Sequence, residues 1–249
     1  ATIAHFRAYA RRHTALYPYR ALLVRQASSR GLPLMRHLAL HYPDDARVAR
    51  IKDQFLLGPS LLVAPVQVDG AREREVYLPG RGSWYPYAGG GKLAGGRAHT
   101  IKAGLTEIPV FAPAGAIVPE LTVVPDTLAR ATDGGVVDLD DARAGGLTLR
   151  VFLGRDGELT LADGALVALT DLGAVPGGDP GVTLEGVKLG ACGGGTAERC
   201  FDADSGTLTI YTGAVQSAKL TVHNGLDPSF ELRIGGGKGA RRYRVVARW

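Results

Sequence analysis

The spacing of apolar residues changes near residue 60, and that change limits the fold more than any other feature of the chain. In the first thirty residues Ile3, Phe6, Tyr9, Leu16, Leu22, Leu23 and Ala27 keep mostly to three- and four-residue steps, the period of one helix face. Beyond residue 60 the apolar runs are short and separated by glycine-rich turns, the pattern of antiparallel strands. Glycine supplies 35 of the 249 residues, about twice its usual share of roughly 7%, and most of it falls after residue 80, where it serves tight turns.

The N-terminal pattern predicts one long helix over residues 1–30. Pro18 cannot donate a backbone hydrogen bond and should kink it, and Gly31 with Pro33 should end it. Residues 34–42 read as a single strand. Pro43-Asp44-Asp45 then supply a turn and an N-cap, and Val48, Ile51 and Phe55 predict a second short helix closed by Gly58-Pro59. Strands are expected at 61–68, 74–78, 98–102 and 107–111, with 115–119 ending the module and 120–135 forming an extended connection. Residues 147–153 and 158–162 flank the turn Gly154-Arg155-Asp156-Gly157 and predict a hairpin. Further strands are expected at 182–189, 207–212, 219–223, 230–234 and 242–246, the spacing of a sandwich, with a loose loop at 173–181.

Charge is divided unevenly. Residues 1–119 hold 16 Lys and Arg against 7 Asp and Glu, whereas residues 120–249 hold 13 against 17. The basic excess is spread along helical segments without a dense cluster, so solvated helix faces explain it better than a nucleic-acid surface. No stretch approaches the roughly 20 apolar residues that cross a bilayer as a helix.

Few residues offer chemistry. Asp44-Asp45 and Asp140-Asp141 are adjacent pairs, which do not oppose two carboxylates across a substrate; they read as caps, turns or, at 140–141, a calcium contact. Asp202 and Asp204 precede Gly206 as a β-turn does and lack the later ligands of a calcium loop. The glycine triplets before Lys92 and Lys238 lack the Ser or Thr of a phosphate loop. His37 and His41 stand four apart, a zinc spacing on a helix, but in a segment that reads as strand. No metal or cofactor is expected. Cys192 and Cys200 bracket seven residues, three of them glycine, and fit either a disulfide or two buried thiols; a disulfide would favour an extracytoplasmic or secreted protein. Trp84, Tyr85 and Tyr87 form the densest aromatic group and fit either a carbohydrate-stacking platform or sheet packing.

Several blocks in series carry a family resemblance: Leu16-Tyr17-Pro18-Tyr19; Gly31-Leu32-Pro33-Leu34-Met35-Arg36; Asp53-Gln54-Phe55-Leu56-Leu57-Gly58; and Leu61-Leu62-Val63-Ala64-Pro65-Val66. Arg74-Glu75-Val76-Tyr77-Leu78-Pro79, Gly82-Ser83-Trp84-Tyr85, Ile108-Pro109-Val110-Phe111 and Ala114-Gly115-Ala116-Ile117-Val118-Pro119 follow in order. Together they resemble the end of the catalytic barrel and the proximal C-terminal sheet of family 31 glycoside hydrolases, the alpha-glucosidase and alpha-xylosidase group. The resemblance covers roughly residues 5–120; beyond them it is one of syntax. At Thr160-Leu161-Ala162-Asp163-Gly164 the chain departs from the Tyr-Glu-Asp-Asp-Gly-like stretch frequent in the family.

The resemblance implies a mainly β fold: the tail of a (β/α)8 barrel over 1–59, a proximal antiparallel β-sandwich over 60–120 and a distal one over 121–249. It implies a parent enzyme that cleaves alpha-glucosides or alpha-xylosides with retention, using two Asp residues about 5 to 5.5 Å apart, both on earlier barrel strands, so that this chain holds no catalytic residue. The partners it implies are the rest of the barrel and an oligo- or polysaccharide substrate. The alternative is a non-catalytic carbohydrate-binding β-sandwich module. One strand cannot close an eightfold barrel, so the first helix should dock on the proximal sheet or expose an apolar face that promotes self-association.

Overall fold

The computed structural model describes residues 2–104, 106–125, 146–173, 181–184, 187–188, 199–202, 207–215, 217–224, 227–235 and 241–248. They are mainly β, in largely antiparallel sheets, and form two compact units, Leu23–Ala116 and Ala1–Leu22 with Ile117–Trp249.

The expected long helix is two: α1 (Thr2–Ala15) and α2 (Tyr17–Arg30). The break falls at Leu16 rather than at Pro18. Proline is tolerated in the first turn of a helix, where its missing amide would be unpaired anyway, and α2 begins so as to place it there. Gly31, at φ 68°, ends α2 as expected, its amide bonded to the Ala27 carbonyl at 3.0 Å. α1 buries none of its residues, and Ile3 and Phe6 are 78% and 74% exposed.

In the unit Leu23–Ala116 the strands are β1 (Met35–Arg36), β2 (Phe55–Leu57), β3 (Leu61–Val63), β4 (Glu73–Leu78), β5 (Ser83–Pro86), β6 (Leu93–Ala94), β7 (Arg97–Lys102) and β8 (Val110–Pro113). Six form a sheet in the order β1-β2-β3-β8-β5-β6, and β4 pairs with β7. Leu56, Leu62, Trp84 and Phe111 share one buried cluster with Val76, Tyr77 and Leu78, each large apolar side chain contributing about 1.5–3 kcal/mol on burial.

Several expected elements are shorter. The strand predicted over 34–42 is only Met35–Arg36, because the His37 ring accepts the Ala39 amide at 3.2 Å and turns the chain into a 3₁₀ segment, Leu38–Leu40. The helix predicted from Val48 to Phe55 is a single 3₁₀ turn, Val48–Arg50, and Phe55 begins β2. The strand expected over 61–68 stops at Val63, just before Pro65, and that expected from 107 starts at Val110, just after Pro109, since neither proline can donate to a ladder. The sheet is continuous across residue 60: β2 pairs with β3 through Phe55↔Val63 and Leu57↔Leu61.

The second unit adds β9 (Ile117–Leu121), β10 (Leu147–Phe152), β11 (Gly157–Thr160), β12 (Leu166–Gly173), β13 (Gly181–Leu184), β14 (Val187–Lys188), β15 (Arg199–Asp202), β16 (Thr207–Val215), β17 (Ser217–Asn224), β18 (Asp227–Gly235) and β19 (Arg241–Arg248). Two sheets, β15-β16-β19-β10-β9 and β11-β12-β18-β17-β13-β14, enclose a core of Leu147, Leu149, Val151, Val167, Leu169, Leu232, Ile234, Tyr243 and Val245. The hairpin expected around Gly154–Gly157 is not one. β10 pairs with β9 and, in parallel, with β19, whereas β11 pairs with β12. The turn carries the chain from one sheet to the other, so that Leu149 and Val151 face Val167 across the core rather than pairing along an edge. Residues 117–121, expected to end one module and open a connection, are a strand hydrogen-bonded to β10.

Candidate functional site

The aromatic group is set by the pleat of β5, whose neighbouring side chains point to opposite faces. Trp84 faces the core at 2% exposure, packs against Tyr42 with ring centroids 6.4 Å apart, and donates its indole N–H to the Pro79 carbonyl at 3.1 Å. Tyr85 lies on the opposite face and is 3% exposed. Neither ring offers solvent the open face on which a sugar stacks. Tyr87, just past the strand, is half-buried, and its amide is bonded to the Val110 carbonyl at 2.8 Å. Of the three residues expected to contact carbohydrate, it alone keeps appreciable solvent access.

Several carboxylates serve the frame. Asp45 Oδ1 accepts the Arg47 amide at 3.1 Å and Oδ2 accepts the Tyr77 hydroxyl at 2.6 Å, while the Arg47 guanidinium lies 5.7 Å from the Tyr77 ring centre. Burial first, and the bond to Asp45 next, raise the Tyr77 phenol above its ordinary pKa. Asp53 pairs with Arg74 at 2.7 Å, and Arg74 also donates to the carbonyls of Asp53, Pro65 and Glu75. Glu107 accepts the Gly104 amide, and Asp163 the Ala165 amide. Glu120, 8% exposed, holds Arg150 at 2.7 Å between β9 and β10.

Histidine and arginine make a further cluster. Arg36, 2% exposed, donates to the Pro33 carbonyl at 2.7 Å and the Gln26 side chain at 2.8 Å, and lies 2.9 Å from His41 Nε2. Partial burial and the Arg36 charge lower the His41 pKa. Burial and Arg20 lower that of His13. Among the described residues no group of three His, Cys, Asp or Glu side chains converges as metal ligands do. An open cleft of about 330 Å³ is lined by Arg7, Ala10, Arg11, Thr14 and Pro125, with guanidinium and hydroxyl groups but no aromatic face.

Cys192, Asp140, Asp141, Asp204 and Lys238 lie outside the described residues; Cys200 stands on β15 opposite Thr209. No helix among the described residues is long and apolar enough to cross a membrane. Isolated polar residues in apolar runs carry no periodic signal, so sequence pattern marks neither the Arg36 cluster nor the bonding of the Gln54 side chain to the Tyr77 backbone.

Residues 31–118 match the model of the glycosyl hydrolase family 31 C-terminal domain. The chain is 34% identical over 155 residues to an alpha-xylosidase of Saccharolobus solfataricus, a match covering 62% of this chain and 20% of that protein. It is 37% identical over 117 residues to an isomaltosyltransferase of Sporosarcina globispora, covering 47% and 11%. The chain thus spans a fifth or less of the length of these relatives. Among solved structures, a family 31 dextranase of Flavobacterium johnsoniae complexed with isomaltotriose superposes with a TM-score of 0.59 at 25% identity, over 91% of this chain and 30% of that one.

Proposed function

Since the chain is the C-terminal portion of a family 31 glycoside hydrolase, we propose that it is the accessory end of a retaining enzyme that cleaves alpha-linked glucosides or xylosides, with the catalytic Asp pair on barrel strands elsewhere in the parent protein. In this reading residues 1–59 derive from the end of the barrel, 60–120 form the proximal sandwich and 121–249 the distal one. The observation that carries it is the family 31 C-terminal domain at residues 31–118. The employment of Asp45, Asp53, Glu107 and Glu120 in ion pairs and turns supports it further, since none is left to oppose another carboxylate across a sugar.

The test is hydrolysis of aryl alpha-glucosides and alpha-xylosides by the purified chain. We expect no turnover above buffer; turnover abolished by substituting any one carboxylate of this chain would overturn the accessory reading. The alternative, a carbohydrate-binding module, draws on the partly accessible Tyr87. It predicts saturable calorimetric binding of isomaltotriose or a xyloglucan oligosaccharide that Tyr87→Ala abolishes. Flat titrations would remove it.

A further inference from the structure

His37 and His41 flank the 3₁₀ turn Leu38–Leu40, and the partners of each imidazole define its protonation state. A guanidinium has donors only, so in the 2.9 Å contact between Arg36 and His41 the ring Nε2 must accept; His41 is therefore neutral, with its proton on Nδ1. His37 Nδ1 accepts the Ala39 amide at 3.2 Å, which leaves the proton on Nε2, 3.1 Å from the Ile51 carbonyl that accepts it. Two histidines four residues apart are thus held as opposite neutral tautomers, each spending its one lone pair on a contact that shapes the turn.

Protonation converts both acceptors into donors. An N–H of His37 would then face the Ala39 N–H, and an imidazolium at His41 would face the Arg36 guanidinium. Arg36 is 2% exposed and also bonds Gln26 of α2 and the Pro33 carbonyl, so the same side chain ties helix, loop and turn. Arg36 is the charged group facing His41. His37 faces backbone groups, and among the described residues no carboxylate forms an ion pair with either ring.

We propose that this turn is an acid-sensitive latch, which fastens the C-terminal end of α2 to β1 while the His41 imidazole is neutral and releases it when that ring is protonated. The lowered pKa of His41 accords with this. The group binds its proton less readily in the folded state, so its contribution is complete above its unfolded value and is lost as the pH falls through the folded one.

The experiment uses the whole chain. Amide exchange within the turn should lose up to about tenfold protection for each pH unit below about 6.5, as His41 takes up its proton. In the double variant His37→Asn with His41→Gln, whose side-chain oxygens accept the same bonds without titrating, that loss should disappear. The same acid dependence in variant and parent would overturn the latch. Nitrogen chemical shifts of the imidazoles in the unmodified chain decide independently of variant folding: His41 as the Nδ1–H tautomer and His37 as Nε2–H are required, and either opposite tautomer would overturn it as well.

Discussion

Gln54 pairs with the backbone of Tyr77 through both ends of its amide, Nε2 donating to the Tyr77 carbonyl at 2.8 Å and Oε1 accepting the Tyr77 amide at 2.9 Å. The side chain gives one residue of β4 what a neighbouring strand would, and at 6% exposure it does so out of reach of water. Gln54→Ala should leave a buried donor and acceptor unpaired and cost about 2–4 kcal/mol, read as a fall in the urea midpoint with unchanged slope. An unaltered midpoint would show that water replaces the clamp.

Gly95 lies where two turns meet. A Cβ placed there would stand 2.6 Å from the Gly80 carbonyl and 3.0 Å from that of Gly82, both backbone atoms with little room to move. Gly95→Ala should therefore lower stability by about 1–3 kcal/mol. Gly91→Ala, where a Cβ would meet nothing within 4 Å, should change the melting temperature little. Equal effects at the two sites would refute the close-approach account.

The raised pKa of Tyr77 sets an alkaline limit. With the folded value above the unfolded one, the contribution is complete below about pH 10 and is lost as the pH rises through the folded value. Asp45→Asn removes the negative charge beside the hydroxyl and should bring the phenol's titration down toward that of a free tyrosine. The phenolate absorbance of Tyr77, taken by difference against Tyr77→Phe, reports it; an identical titration with Asn at position 45 would contradict the assignment.

Glu120 and Arg150 join β9 to β10 through an ion pair on one face, next to the hydroxyl contact of Thr122 and Thr148 at 3.1 Å. Arg150 keeps part of its side chain in solvent, so the pair is worth less than a fully enclosed one, and Glu120→Ala should cost about 1–2 kcal/mol. If Glu120→Ala and Arg150→Ala were additive in a double-mutant cycle, the pair would have no coupling energy.

The helical spacing of Leu22 and Leu23, the stop at Gly31, and the strands over 74–78 and 147–152 were legible because local period and turn chemistry determine them. The short strand at Met35 and the single turn at Val48 were not. Apolar content alone does not distinguish a strand from a turn whose bonds go to side chains such as His37 and Asp45. The aromatic cluster was legible as a cluster, but the burial of Trp84 and Tyr85 depends on what lies over each face of β5.

By itself the amino-acid order determined the β-rich class, the stop of the N-terminal helical segment at Gly31 and the succession of blocks that resembles family 31, since periodicity, caps and motif order are properties of neighbouring residues. The tertiary structure alone decided that β10 and β11 lie in different sheets and that Arg36 joins Gln26 to His41. Both depend on which distant segments meet, and the burial of shared apolar faces sets that choice among many pairings that local sequence leaves equally open.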